Sequence, residues 1–208
     1  MYLYLQKTLP SAAMLVTMLM IGSCGQTPST VAESPSATPP SAVETSPSPS
    51  PTPTESIAGT AVVSPDGDMQ ITVPEGWKED RQLNDQAQLQ AANLDKELYL
   101  IVLSEAKADL PTDMNLVRHS EITRSIVVEN LSNAEVTGPT AVTRVGDYPA
   151  VQYEIRGTLK DINVLYVHTT VETGDRFNQI LAWTLPDNYN SNKEELQRTI
   201  ASFRELTP

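Results

Sequence analysis

The side chains best suited to acid–base chemistry or metal binding are the only two histidines, His119 and His168. His168 lies in an alternating stretch, where residues two apart share one strand face. That face also carries Ile162, Val164, Tyr166, Thr170 and Glu172. Two interpretations are open: a satisfied, partly buried histidine, or a ligand or pH-sensitive switch near Glu172, since histidine titrates close to neutral pH. His119 is expected to lie near solvent on the first helix.

Beyond these residues the sequence carries no recognised catalytic pattern. It has no Gly-x-Ser-x-Gly nucleophile elbow, no phosphate-binding glycine loop and no His-Glu-x-x-His motif. Two histidines cannot form a histidine-rich metal site, although one histidine with carboxylates could hold a metal. Asp66-Gly67-Asp68 lacks the spaced oxygen ligands of a calcium loop and is expected to be a turn. We therefore predict a protein that is not an enzyme, with no catalytic residue, metal or cofactor.

The single cysteine, Cys24, has a specific setting. An apolar run too short to cross a bilayer leads into Ile21-Gly22-Ser23-Cys24. This segment resembles the bacterial lipobox, in which the cysteine receives a diacylglycerol group and the preceding residues are removed. We predict a signal peptide over 1–23, cleavage between Ser23 and Cys24, and a lipid anchor on Cys24. The protein would then be extracytoplasmic, on the periplasmic or thylakoid-lumenal side of a membrane. An ordinary secretory signal with a chance cysteine and an uncleaved anchor are the alternatives.

Composition divides the rest of the chain into a linker and a domain. Residues 24–57 contain many prolines among Ser, Thr and Ala and no aromatic residue, so we predict a disordered linker with polyproline II character. Residues 58–208 have the length of one globular domain. The formal net charge of -12 argues against nucleic acid, which is bound by clustered Lys and Arg, and against attraction to anionic lipid headgroups.

Alternation and turn residues predict antiparallel strands in the domain. Met69, Ile71 and Val73 alternate, and 88–94 with 97–105 read as a hairpin across Asp95-Lys96. Further strands at 141–145, 150–159, 162–173 and 177–185 are separated by Gly146-Asp147, Lys160-Asp161 and Gly174-Asp175. The segment 98–103 is apolar on both faces, which indicates layers on both sides of the sheet.

Two helices are predicted. Thr112 is the expected N-cap of the first, which runs to about residue 131 with Met114, Val117, Val128 and Leu131 on its inner face. Ser191 and Glu194 form a capping box for the second, on which Leu196, Ile200 and Phe203 share a face. Together the elements predict an α+β domain, an antiparallel β-sheet flanked by helices.

The order of these elements resembles the PsbP-like family, named for the extrinsic subunit of photosystem II. The resemblance is carried by Val73-Pro74-Glu75-Gly76-Trp77, by 166–172, and by Ala182-Trp183-Thr184-Leu185 ahead of the last helix. It implies an α/β/α sandwich over 66–205 and a role in assembling or stabilising a membrane complex. Cyanobacterial members of the family are lipoproteins on the lumenal side of thylakoids, which agrees with the predicted lipid anchor on Cys24. No binding residue of the family is matched to a position here, so no metal site is carried over.

Two functions are left open by the sequence. The first is an accessory or assembly factor that binds a membrane-protein complex, related to photosystem II or not, for which a tether raises the local concentration. The second is an envelope lipoprotein that binds a small ligand or lipid in an apolar cavity lined by residues such as Trp77 and Leu103. Trp77 and Trp183 are both expected to be core anchors, with Trp77 the better candidate for an exposed docking residue.

Overall fold

The structure, a computed structural model, describes residues 59–206. The predicted signal peptide, Ser23, Cys24 and the linker lie outside the described residues. Within them the strands are β1 (Thr60–Val63), β2 (Met69–Val73), β3 (Lys78–Glu79), β4 (Leu89–Asn93), β5 (Leu98–Ala106), β6 (Ser132–Thr137), β7 (Arg144–Val145), β8 (Tyr148–Leu159), β9 (Ile162–Glu172), β10 (Arg176–Thr184) and β11 (Arg204–Glu205). The helices are α1 (Leu116–Glu129) and α2 (Pro186–Ala201).

The main sheet is antiparallel, with strand order β3-β4-β5-β10-β9-β8-β6 and with β7 paired to the start of β8. The predicted hairpins are confirmed: β4 pairs with β5, β8 with β9, and β9 with β10. Lys160 and Asp161 join β8 to β9 with φ angles of 48° and 69°. Positive φ at both central residues is typical of a type I′ turn, whose twist matches that of the strands.

Layers cover this sheet on both faces, as the doubly apolar segment 98–103 predicts. On one face, alternate residues of β5 (Leu98, Leu100 and Val102) join a large core with Leu196 and Ile200 of α2. On the other face, a smaller cluster around Tyr153 and Ile155 packs against Val127 and Val128 of α1. The α/β/α arrangement and the α+β class are therefore confirmed.

A second, three-stranded sheet lies in the α2 layer. Its order is β1-β2-β11, so strands from the two ends of the described region flank β2. Met69, Ile71 and Val73 of β2 are buried with Phe203 in the same core as α2. The alternation in β2 is confirmed, but its partner β11 has too few residues to be recognised from sequence.

Helix α1 begins later than expected. Its N-cap is Asn115, whose Oδ1 accepts a hydrogen bond from the Arg118 amide at 3.0 Å. The Met114 amide instead bonds to the Pro111 carbonyl at 2.9 Å, in a turn before the helix. The predicted Thr112 cap is therefore wrong, because asparagine is at least as good an N-cap as threonine and lies closer to the helix.

Helix α2 begins earlier than expected, directly after β10. Pro186 occupies its first turn, where the fixed φ of proline suits a helix and the missing N–H costs nothing. Ser191 and Glu194 thus lie inside the helix, and the predicted capping box is wrong. Leu196 and Ile200 face inward as predicted, at 0% and 1% exposure. Phe203 is buried too, but it lies beyond the end of α2 at Ala201 and not on the helix.

Candidate interaction surface

Helix α1 distributes its polar and apolar residues in an unusual way. Its three buried residues, His119, Ser120 and Thr123, are all polar. Ile122 and Ile126, one helical turn apart, keep 45% and 50% of their surface exposed. A helix on a sheet ordinarily buries its apolar stripe. Here α1 turns an aliphatic pair outward, and we call Ile122 and Ile126 the α1 ridge.

The sheet face beneath α1 also carries a row of aromatic rings. Tyr99, Trp183 and Tyr166 are direct cross-strand neighbours on β5, β10 and β9. The rings of Tyr99 and Trp183 stack with their centroids 5.2 Å apart, and those of Trp183 and Tyr166 are 5.9 Å apart. Tyr99 and Trp183 are only half-buried. The α1 side of the domain therefore presents apolar groups from both the helix and the sheet.

A chain of hydrogen bonds joins α1 to the sheet. The Thr123 hydroxyl donates its one proton to the His119 carbonyl at 3.0 Å. Nε2 of His168 lies 3.1 Å from the same hydroxyl oxygen, so this nitrogen must be the donor. Nε2 of His119 donates to a carboxylate oxygen of Glu105 at 2.6 Å, because an ionised carboxylate only accepts. We call these four side chains, His168, Thr123, His119 and Glu105, the polar latch.

Several polar atoms beside the latch have no hydrogen-bond partner among residues 59–206. They are Nδ1 of His119, Nδ1 of His168, Oγ of Ser120 and Oγ1 of Thr170, and all are buried. Burial lowers the pKa of His168 to about 4, and the positive charge of Arg124 acts in the same direction. A contact with its own backbone acts in the opposite direction, but burial outweighs it, so the cationic form is disfavoured.

The N-terminal end of α1 is fixed by ring and charge contacts. The imidazole of His119 stacks on Phe177 with the centroids 4.7 Å apart. Nζ of Lys107 lies 5.2 Å from the centroid of the same phenyl ring. This ammonium also binds the Glu172 carboxylate at 2.9 Å and the Thr173 carbonyl at 2.8 Å. The hydrogen bond from His119 lowers the pKa of Glu105, so this carboxylate remains ionised to more acidic pH.

The predicted binding residues do not converge. His168 contacts α1 through Thr123, whereas Glu172 is engaged by Lys107. Four residues of extended strand, roughly 13 Å, separate the two positions. Trp77 is buried at 6% exposure, and its indole N–H donates to Glu195 of α2 at 2.7 Å. Of the two tryptophans, Trp183 is the more exposed.

The expectations for α1 itself need correction. His119 is buried, with 3% exposure, instead of lying near solvent, and Val117 is 52% exposed instead of facing the sheet. Sequence reasoning also missed Glu105, Thr123 and the α1 ridge. The available signal was a pair of stripes with four-residue spacing, His119 with Thr123 and Ile122 with Ile126. Of the predicted inner face, Val128 and Leu131 do pack against the cluster around Tyr153 and Ile155, whereas Val117 does not.

The cavity expected for a small ligand is not built from the predicted residues. Trp77 belongs to the α2-side core, whereas Leu103 alternates with Val102 and so faces α1. A depression of about 450 Å³ does lie between α1 and β6. It is lined by Arg124, Ser125, Val128, Glu129, Val136 and Gly138. Residues 59–206 contain no group of three or more His, Cys, Asp or Glu side chains placed to hold a metal ion.

Comparison with solved structures identifies the fold. LpqN, a Mycobacterium tuberculosis protein involved in cell envelope biogenesis, superposes with a TM-score of 0.54 and 14% identity over 71% of this chain and 90% of its own. Cyanobacterial PsbP (CyanoP) from Synechocystis sp. PCC 6803 superposes with a TM-score of 0.52 and 15% identity, over 74% of this chain and 96% of its own. A Bacteroides thetaiotaomicron protein superposes with a TM-score of 0.50 and 12% identity, over 72% of this chain and 49% of its own. The chain therefore spans about half the length of that protein. No protein-family model and no curated protein sequence matches the chain.

The domain therefore has the PsbP-like α+β fold, and the resemblance drawn from the sequence is confirmed at the level of the fold. At these identities the likeness concerns architecture alone, since one fold hosts many functions. Among the described helices, neither is both long and apolar enough to traverse a lipid bilayer.

Proposed function

We propose that this chain is a lipid-anchored, extracytoplasmic accessory protein without catalytic activity, which binds a protein partner in a membrane complex. The observation that carries the proposal is the α1 ridge, because it exposes aliphatic surface that α1 would ordinarily bury. Large exposed apolar patches on folded domains mark protein–protein contacts, and we infer that the α1 ridge is the centre of one. The structural likeness to an envelope protein, LpqN, and to a cyanobacterial PsbP is in keeping with such a role.

The occupant of the ridge is inferred to be a protein from the charge of the chain. With a formal net charge of -12, the molecule is repelled by anionic headgroups and by nucleic acid. An apolar patch on a partner would complement the ridge, and a basic rim around that patch would complement the net negative charge of the chain. We infer that Cys24 supplies membrane attachment covalently, so the domain surface is free to bind a partner.

The proposal is tested by site-specific crosslinking in native membranes. A photoreactive amino acid replaces Ile126 in one protein and Leu94 in a matched control. Leu94 is also an exposed aliphatic residue, at 57%, but it lies in the β4–β5 turn outside α1. We expect a protein crosslink at residue 126 that is absent at residue 94, and that is lost when Cys24→Ala removes the anchor.

A charge at the ridge gives the energetic test. Burying an isoleucine side chain is worth about 1.5–3 kcal/mol, so Ile126→Asp should weaken binding of the crosslinked partner at least tenfold. Leu94→Asp should leave the affinity unchanged. Equal losses for the two variants, or crosslinks to lipid alone, would contradict the proposal.

The alternative function, binding of a small ligand or lipid, has its own signature. Such a ligand should copurify with the protein and raise its melting temperature when added back. Mass spectrometry of the native protein separates this outcome from a protein partner in the same preparation.

A further inference from the structure

Helix α1 packs on the sheet through Val127 and Val128 at its C-terminal end, but the side chains that it buries completely are polar. The buried residues of α2 include Tyr189, Leu196 and Ile200, whereas those of α1 are His119, Ser120 and Thr123. Apolar burial is insensitive to pH, but a buried imidazole favours its neutral form. Helix α2 also has a titratable contact, since Tyr189 and Lys193 bond to Glu154 of β8, but the pKa of that carboxyl is lowered. The attachment of α1 therefore responds to a less acidic pH than that of α2.

We propose that the polar latch is an acid-sensitive fastening that holds α1 on the sheet at neutral pH and releases it when His168 is protonated. His168 is fully buried, its Nε2–H is used by Thr123, and its Nδ1 has no partner among the described residues. A proton can reach Nδ1 with a water molecule beside it only when α1 moves away. This inference rests on the proposed function, since release of α1 would displace the α1 ridge.

The charged and titratable groups near His168 lie on α1, β8 and β5. Arg124 and His119 of α1 both disfavour a positive charge on it. Tyr153 of β8 has its ring 6.5 Å from the imidazole, and Arg124 lies over that ring at 4.5 Å. On β10, the cross-strand neighbour Leu181 carries no charge. Glu105 of β5 lies behind His119, and its lowered pKa excludes it as the group that titrates between pH 5 and 6.5.

The direction of the effect follows from linkage. The folded pKa of His168, about 4, is below its ordinary value of 6.5, so the open state binds the additional proton in this window. Closure of α1 is complete above pH 6.5 and weakens as the pH falls toward 4. With these values the opening constant of α1 rises about 4-fold at pH 6 and about 25-fold at pH 5, relative to pH 7.5.

Hydrogen exchange of the full-length protein tests the latch without any partner. Protection of the α1 and α2 amides is measured at pH 7.5, 6 and 5, after correction for the intrinsic rate at each pH. We expect α1 to lose protection by about the calculated factors while α2 loses much less. Equal losses in both helices, or no loss in α1, would overturn the proposal, and neither result depends on a variant folding.

Two variants assign the response to one side chain. His168→Gln keeps an N–H donor for Thr123 but does not titrate, so α1 should keep its protection at pH 5. Thr123→Val removes the hydroxyl and leaves His168 in place, so protection should fall at every pH while its acid dependence persists. A full acid response in His168→Gln would refute the role of His168. Crosslinking at residue 126 is a separate readout, so failure of the latch and failure of partner binding are distinguishable.

Discussion

Replacing Thr123 by valine tests the polar layer beneath α1 with little change of shape. The hydroxyl bonds to the His119 carbonyl at 3.0 Å and accepts from His168 at 3.1 Å. Valine fills nearly the same volume but leaves the buried Nε2–H of His168 without an acceptor. An unsatisfied buried donor costs about 1–3 kcal/mol, so we expect Thr123→Val to reduce the free energy of unfolding by that amount at pH 7.5.

Replacing Thr123 and His168 together should lower the free energy of unfolding by less than the sum of the two single losses. His168→Leu alone discards an imidazole that packs on Tyr153 and deprives the Thr123 oxygen of a donor. In the double variant no donor is left unpaired, because both groups are apolar. We therefore expect a coupling free energy of about 1–2 kcal/mol between the two positions.

Urea denaturation of the four proteins, followed by far-UV circular dichroism at pH 7.5, gives the coupling directly. Thr123→Ser is the matched control, since it keeps the hydroxyl and removes only a methyl group, worth about 0.8 kcal/mol. If the single changes add to within about 0.5 kcal/mol, the two side chains do not interact and the reasoning behind the polar latch is wrong.

Three further predictions concern packing and pH. Gly157→Ala should lower the melting temperature, because the new Cβ would lie 2.9 Å from the Cβ of Leu131. Gly174→Ala should raise the melting temperature slightly, because there is open space around that position. Calorimetry measures both variants, and melting temperatures that shift in the same direction would contradict this prediction. Trp77→Phe should lower the free energy of unfolding in denaturant by about 1–3 kcal/mol, because the half-buried Glu195 loses the hydrogen bond from the indole N–H. A change below about 0.5 kcal/mol would show that this hydrogen bond does not contribute to stability. The free energy of unfolding of the wild type should fall by up to about 3 kcal/mol between pH 6.5 and pH 4, because His168 is protonated at higher pH in the unfolded chain than in the folded one. His168→Gln should remove the part of this fall that comes from His168. The same pH profile of stability in both proteins would refute the role of His168.

The fold was largely readable from the sequence because its strands are long and separated by marked turns. Gly146-Asp147 and Lys160-Asp161 punctuate alternating segments, and their pairing is local along the chain. By contrast, β6 was missed because four of its six residues are polar, the strand is mostly exposed, and its register shifts partway along. A strand that lies at a sheet edge has little reason to show an apolar pattern.

The candidate site was less readable, for a physical reason specific to α1. Sequence patterns assume that a helix buries its aliphatic stripe. In α1 the competing stripe of His119 and Thr123 finds partners in Glu105 and His168, which lie 14 and 45 residues away along the chain. Partners at such separations become visible only after the sheet is assembled. Burial of a polar stripe could thus not be inferred from local spacing.

The position of the short sheet β1-β2-β11 determines how the domain would present itself on a tether. The chain enters the described region at β1, in the layer that contains α2, on the face of the main sheet opposite α1. Thr60, at the start of β1, and the α1 ridge thus lie on opposite faces of the main sheet. If the proposed lipid anchor precedes β1, it would join the domain on the face that does not carry Ile122 and Ile126.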